Sequence, residues 1–255
     1  MNGQLKQSIA EGKHIFGTFM TTDSVKNAEI LGAAGLDYVM IDCEHGTMDL
    51  ETAGAMVSAI KASGSPALIR AAWNDPVIIK QTLDTGIDGI MIPAIRNREE
   101  AEQAILSCLY PPKGIRGVGC GRAVMYGCGG GEPDYYERAD EDLIRIIQIE
   151  NKDALDNIDE ILSVEGIDAA MVGPFDLSFS LGMPQAFDNE TFIGILRGVV
   201  EACERHHVCP AIFIGPDRLQ KYMALGFRLI LCGVDAGILY SGAQELHKLF
   251  KNSLG

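Results

Sequence analysis

Apolar and polar positions alternate between two textures along the chain. Short, nearly continuous apolar runs are separated by longer stretches in which apolar residues recur at helical spacing. Four of the runs share one frame: AAGLDYVMID, DTGIDGIMIP, VEGIDAAMVG and ALGFRLILCG. In each, a glycine is followed by an apolar residue, a polar or charged one, and then a strand-like run. Glycine adopts the left-handed conformation that ends helices at little cost, and an unbroken apolar run suits a strand buried on both faces. The frame therefore marks helix-to-strand junctions.

Filling in between these junctions predicts eight strands, near 15–21, 38–43, 66–71, 89–94, 144–149, 169–173, 209–214 and 228–233. Amphipathic helices follow them, among them 49–60 and 151–162, with Asp49, Asn74 and Asn97 as candidate N-caps. Eight strand-then-helix units fit an α/β chain folded as one (β/α)8 TIM barrel over residues 1–255. An open doubly wound sheet is the alternative, because spacing alone does not prove closure. One connection is unusual: residues 112–140 form a long loop with eight glycines between Gly114 and Gly131. Loops of that length in compact domains are commonly functional. Its glycines form neither a Walker nor a dinucleotide fingerprint.

Composition narrows the partners. The formal net charge of −14 disfavours nucleic acid and anionic membranes. No apolar run reaches the ~20 residues of a membrane helix, and the polar N-terminus lacks a signal-peptide core. Seven cysteines without a C-x-x-C pair point to reduced thiols and a cytoplasmic location. The segment Cys203-Glu-Arg-His-His-Val-Cys209 imitates a metal site, but its spacing matches no zinc module and reads as a helix end entering a strand.

In such a barrel, the C-terminal strand ends converge on one mouth. Strand two delivers Asp42, Glu44 and His45; strand three, Arg70; strand five, Gln148 and Glu150; strand six, Phe175 and Asp176; strand eight, Asp235. Gln148 and Glu150 share a face because side chains alternate along a strand. Glu150 and Asp176 offer two anionic oxygen donors to a hard divalent cation and leave its other positions open. His45 suits a general base near neutral pH, and Arg70 a fixed cation for a developing oxyanion. Asp235 reads as a helix cap. Schiff-base chemistry needs a lysine on a strand, and Lys152 falls after one.

These residues resemble the HpcH/HpaI family of metal-dependent, class II pyruvate aldolases over nearly the whole chain. The likeness rests on Asp42-x-Glu44-His45, Arg70, Pro111-Pro-x-Gly-x-Arg-Gly117, Gln148-x-Glu150, Gly173-Pro-x-Asp-Leu-Ser178 and Gly233-Val-Asp235. The resemblance implies reversible cleavage of a 4-hydroxy-2-oxo acid into pyruvate, or a close 2-oxo acid, and an aldehyde. It implies Mg2+, Mn2+ or Co2+ on Glu150 and Asp176. The 2-oxo acid would lie against Gln148 and the backbone amides near Phe175 and Asp176, with His45 as acid/base and Arg70 as charge stabiliser. Asp84 would be the partner of His45. It precedes strand four and so faces the other rim, which implies a homo-oligomer with shared active sites; in the alternative, Asp42 orients His45. Phe175 is bulkier than the family's usual residue, and Val124-Met125 less polar, which leaves the aldehyde open. Two other functions remain: a lyase acting on an acyl-CoA thioester, for which Arg116 and Arg122 are few cations, and a non-catalytic binding barrel.

Overall fold

A computed structural model describes residues 2–128 and 132–254. Eight parallel strands pair in sequence order into a closed barrel: β1 (Ile15–Met20), β2 (Tyr38–Asp42), β3 (Ala67–Arg70), β4 (Gly89–Ile92), β5 (Ile144–Ile149), β6 (Ala169–Val172), β7 (Cys209–Ile214) and β8 (Leu229–Val234). Pairing of β8 with β1 closes the cylinder and excludes the open sheet. All eight expected strands are present, each within two residues of its predicted ends.

The junction glycines behave as their frame requires. Gly35, Gly86, Gly166 and Gly226 have φ of 81°, 78°, 97° and 109°, where a side chain would be strained. Three of the polar residues in this frame tie neighbouring strands together at the N-terminal rim. Asp37 accepts from Phe16 N at 2.8 Å, Asp88 from Ala67 N at 2.9 Å and Asp168 from Arg145 N at 2.8 Å. Each carboxylate satisfies a strand N–H where the ladder begins.

Strand alternation divides the core in two. One set of side chains packs outward against the helices, including Val39, Ile41, Ile69, Ile90, Ile147 and Ile212. The other fills the barrel, including Tyr38, Met40, Leu68, Met91, Ile146 and Leu231, and is joined by Leu5 and Ile9 of the first helix, Asn2–Ala10. Gly17 makes room inside: a Cβ there would lie 2.6 Å from the ring of Tyr38, whose hydroxyl donates to Ile230 O at 3.1 Å.

Four local expectations change. The loop expected over 112–140 is shorter and not structureless: Arg122–Gly127 forms a 3-10 segment, and Glu132–Asp142, rich in helix-forming Glu, Arg and Ala, is helical. The cap of the helix Pro76–Asp84 is Asp75, not Asn74, because Asp75 accepts from Val77 N and Ile78 N while Asn74 bonds to Glu100 O. The predicted helix 151–162 breaks into Lys152–Asp156 and Ile158–Leu162, since Asn157 leaves helical geometry (φ −106°, ψ 16°) and donates to Arg96 O. Asp235 is not a cap. Its carboxylate reaches across to the end of β1, accepting from Thr21 N and Oγ1 and from Thr22 N and Oγ1, and so locks the β8–β1 seam.

Candidate active site

Closure of the barrel brings six of the predicted strand-end residues to one cavity of about 270 Å3 at the C-terminal mouth; Glu150 and Glu44 stand behind its lining, bonded to Gln148 and paired with Arg70, and Asp235 is not part of it. Asp42, His45, Arg70, Gln148, Phe175 and Asp176 line it, with Phe19, Met91, Met171, Phe213 and Val234 as apolar walls. A larger cavity, about 610 Å3, lies on the outer wall beside the helix Arg98–Cys108 and contains none of the strand-end groups.

Asp42 and Arg70 form the rigid side of the mouth. They sit opposite each other in the β2–β3 register. Arg70 Nε donates to Asp42 Oδ1 at 2.9 Å and Nη2 to Oδ2 at 2.7 Å, a fork-to-fork pair that fixes the guanidinium plane. The Phe19 ring lies 4.5 Å from Arg70 Cζ, and Arg70 Nη1 is 3.1 Å from Glu44 Oε2. Asp42 Oδ1 also accepts from the backbone N–H of Glu44 and His45. It therefore shapes the turn that carries His45 rather than gripping the imidazole, whose Nε2 is 3.8 Å from Glu44 Oε2 and whose side chain is 65% exposed.

Gln148 and Glu150 form the opposite side. Gln148 Nε2 donates to Glu150 Oε2, and Ala94 N donates to Glu150 Oε1 at 2.7 Å. Ala94 holds a left-handed φ of 60° to present that N–H, a contribution with no signal in the local residue pattern. Gly173, at the end of β6, lets Glu150 and Gln148 approach: a Cβ there would lie 3.1 Å from Gln148 Nε2 and 3.3 Å from Glu150 Cβ. Asp176 stands in the first turn of the helix Pro174–Ser180, whose leading N–H groups no side chain caps.

The mouth holds more negative charge than its cation balances. Burial pushes the Glu44 carboxyl up to about 7 against the pull of Arg70, with Glu150, Asp42 and Asp176 adding to the rise. Burial also raises Glu150, again with Asp176 contributing. Gln148 Oε1 is buried without a partner. An excess of anionic oxygens beside an orphaned amide oxygen fits a hard divalent cation carrying an oxygen-rich ligand. Among the described residues no group of three or more His, Cys, Asp or Glu is placed to hold a metal, so a cation on Glu150 and Asp176 would keep open positions.

The structure does not bring Asp84 to this mouth. Asp84 ends the helix leading into β4 and lies at the N-terminal rim, where its Oδ1 accepts from Arg116 Nη2 at 3.2 Å. The strands carry no lysine, and Lys152 pairs with Asp156 on the following helix. In the Cys203–Cys209 segment both thiols are buried and free, and His206 Nε2 is 2.9 Å from Asp159 Oδ1.

A closed parallel barrel gathers carboxylates, an amide, an imidazole and a buried arginine at its C-terminal mouth, and the relatives of the chain make it a carbon–carbon lyase of the aldolase type. The chain matches the HpcH/HpaI aldolase/citrate lyase family over residues 16–241, and it belongs to that family. It is 35% identical to a 4-hydroxy-2-oxo-heptane-1,7-dioate aldolase of Shigella flexneri, covering 99% of this chain and 95% of that one. Among solved structures, an HpcH/HpaI aldolase/citrate lyase family protein from Burkholderia cenocepacia superposes with a TM-score of 0.91 at 28% identity, covering 97% of this chain and 99% of the other. An HpcH/HpaI aldolase from Desulfitobacterium hafniense gives 0.88 at 28% identity, covering 97% and 96%.

Proposed function

We propose that the protein is a divalent-metal-dependent aldolase that reversibly cleaves a 4-hydroxy-2-oxo acid into pyruvate, or a close 2-oxo acid, and an aldehyde. The observation that carries this reading is the surplus of carboxylate oxygen around Gln148, Glu150 and Asp176, facing a single immobilised arginine. Glu150 and Asp176 would hold Mg2+, Mn2+ or Co2+, which when bound would supply a Lewis acid for the 2-oxo and carboxylate oxygens of the substrate.

The chain's own groups divide the remaining work. The uncapped N–H groups at Phe175 and Asp176, with Gln148, orient the oxo acid. His45 removes the proton of the C4 hydroxyl. The C3–C4 bond breaks, C4 becomes the aldehyde carbonyl, and the electron pair passes into an enolate whose oxygen Arg70 stabilises. Arg70 is already oriented by Asp42, so little reorganisation accompanies the step. In the reverse direction His45 returns the proton to the new hydroxyl.

The protein acts as a homo-oligomer in which Asp84 of one copy meets His45 of another. Two observations support this. Asp84 and His45 lie at opposite rims of one barrel. The last helix, Asp235–Asn252, leaves Ile238, Leu239, Leu246, Leu249 and Phe250 exposed, an apolar surface suited to a second copy.

Pyruvate release from a 4-hydroxy-2-oxo acid, followed by coupled reduction to lactate, tests the chemistry. Turnover should require added metal and vanish in Glu150→Ala and Asp176→Ala with circular dichroism unchanged. Full activity after exhaustive chelation would overturn the reading. Paired Asp84→Ala and His45→Ala chains test the sharing, since only a shared site lets two inactive chains restore activity.

A further inference from the structure

The glycine-rich loop packs against Asp84. Its first part is anchored to the preceding helix: Ile115 N donates to Leu106 O at 2.9 Å and Arg116 N to Leu109 O at 2.9 Å. From there Arg116 turns inward and is 3% exposed. Its guanidinium carbon lies 4.5 Å from the Tyr110 ring centroid, and Nη2 donates at 3.2 Å both to Tyr135 Oη and to Asp84 Oδ1. Arg116 Nε is buried without a partner. A buried donor left unpaired is costly, so keeping an arginine here requires a return that a smaller apolar residue would not give.

The glycines complete the arrangement. A Cβ at Gly121 would lie 3.0 Å from both Asp84 Cβ and Asp84 O, so only glycine lets the loop backbone close over the end of the helix. A Cβ at Gly119 would lie 3.9 Å from Asp84 Oδ2, and any longer side chain there would cover that oxygen. Arg116 thus engages Oδ1 while the bare backbone at Gly119 leaves the approach to Oδ2 open. The Asp84 side chain is 29% exposed, enough to be reached from outside the chain.

We propose that Arg116 is a positioning residue for the active site of a neighbouring copy: it fixes Asp84, and Gly119 keeps Asp84 Oδ2 accessible to the other chain's His45. This rests on the shared-site reading above. The loop then serves to present a carboxylate at the rim opposite the mouth of its own barrel. A misplacement of about 1 Å in a catalytic partner costs on the order of 100-fold in rate. Arg116→Ala should therefore lower kcat by roughly that factor with KM for the oxo acid little changed. Arg116→Lys, which keeps the charge but not the planar fork, should recover part of it.

Subunit complementation tests the proposal. Pairs of differently tagged full-length chains are co-expressed, and mixed oligomers are purified on both tags and assayed with metal. Asp84→Ala with His45→Ala should regain activity; failure there removes the shared site and the proposal with it. Arg116→Ala with His45→Ala should also regain activity, because the second chain supplies an intact Arg116–Asp84 pair. Arg116→Ala with Asp84→Ala should stay inactive, because both defects fall in the same half-site. If the first pair complements and the second does not, Arg116 serves its own barrel and the proposal fails while the shared site stands. Gly119→Val must fall in the same complementation group as Asp84→Ala, and it keeps the test decisive if Arg116→Ala does not fold.

Discussion

Replacing Asp42 by alanine tests the rigid side of the mouth most directly. Asp42 is 3% exposed and Arg70 7%, and two hydrogen bonds of 2.9 and 2.7 Å join them. Removing one partner of a buried ion pair costs about 3–5 kcal/mol, because the survivor stays desolvated without its counter-charge. Arg70 keeps Glu44 at 3.1 Å and the Phe19 ring, which places Asp42→Ala near the lower figure, about 3 kcal/mol. For a chain of this size each kcal/mol moves Tm by about 2–4 °C, so a fall of about 6–12 °C is expected. Urea unfolding followed by circular dichroism should show a lower midpoint with an unchanged slope. Combining Asp42→Leu with Arg70→Met removes both charges, so the double variant should lose less than the sum of the single losses, with a coupling of about 1–3 kcal/mol. A cost below about 0.5 kcal/mol for Asp42→Ala, or strict additivity in the cycle, would refute the argument that this pair braces the mouth.

The same geometry has further consequences. At 100 times its dissociation constant, Mn2+ or Mg2+ should stabilise the protein by about 2.7 kcal/mol in thermal unfolding. Glu150→Gln should abolish that shift while leaving the metal-free protein no less stable, since it removes one of several crowded carboxylates; an undiminished metal effect in the variant would contradict the assignment. Burial opposes ionisation of Asp235, yet hydrogen bonds from Thr22 and Thr21 win and hold its carboxyl below the usual range. Its contribution is therefore complete at neutral pH and lost as pH falls through the depressed folded value. The cost of Asp235→Ala, about 1–3 kcal/mol at pH 7, should shrink as the pH drops below about 4, and a cost that does not change with pH would count against this role. Gly17→Ala should destabilise by about 1–3 kcal/mol through overpacking against Tyr38, and a neutral result in urea would mean the ring can move.

The chain's own order of residues determined the eight strand-then-helix units and which side chains could carry chemistry, while closure into a barrel was settled by the pairing of β8 with β1. Apolar runs interrupted at Gly35, Gly86, Gly166 and Gly226 locate the helix-to-strand junctions, because backbone conformation at a helix end depends on local residue type. Period-two alternation then assigns Gln148 and Glu150 to one face, and parallel strand direction sends Asp42, His45, Arg70 and Asp176 to one mouth. Contacts between distant segments were decided only in three dimensions. The bracing of Arg70 by Asp42, the strained Ala94 N–H on Glu150 and the seam formed by Asp235 with Thr21 and Thr22 each join elements far apart in the chain. No local pattern encodes them, since the partner of a buried carboxylate is set by which strands become neighbours when the cylinder closes. The separation of Asp84 from His45, by contrast, followed from chain order, because a residue at a helix end just before β4 falls at the rim opposite the strand ends.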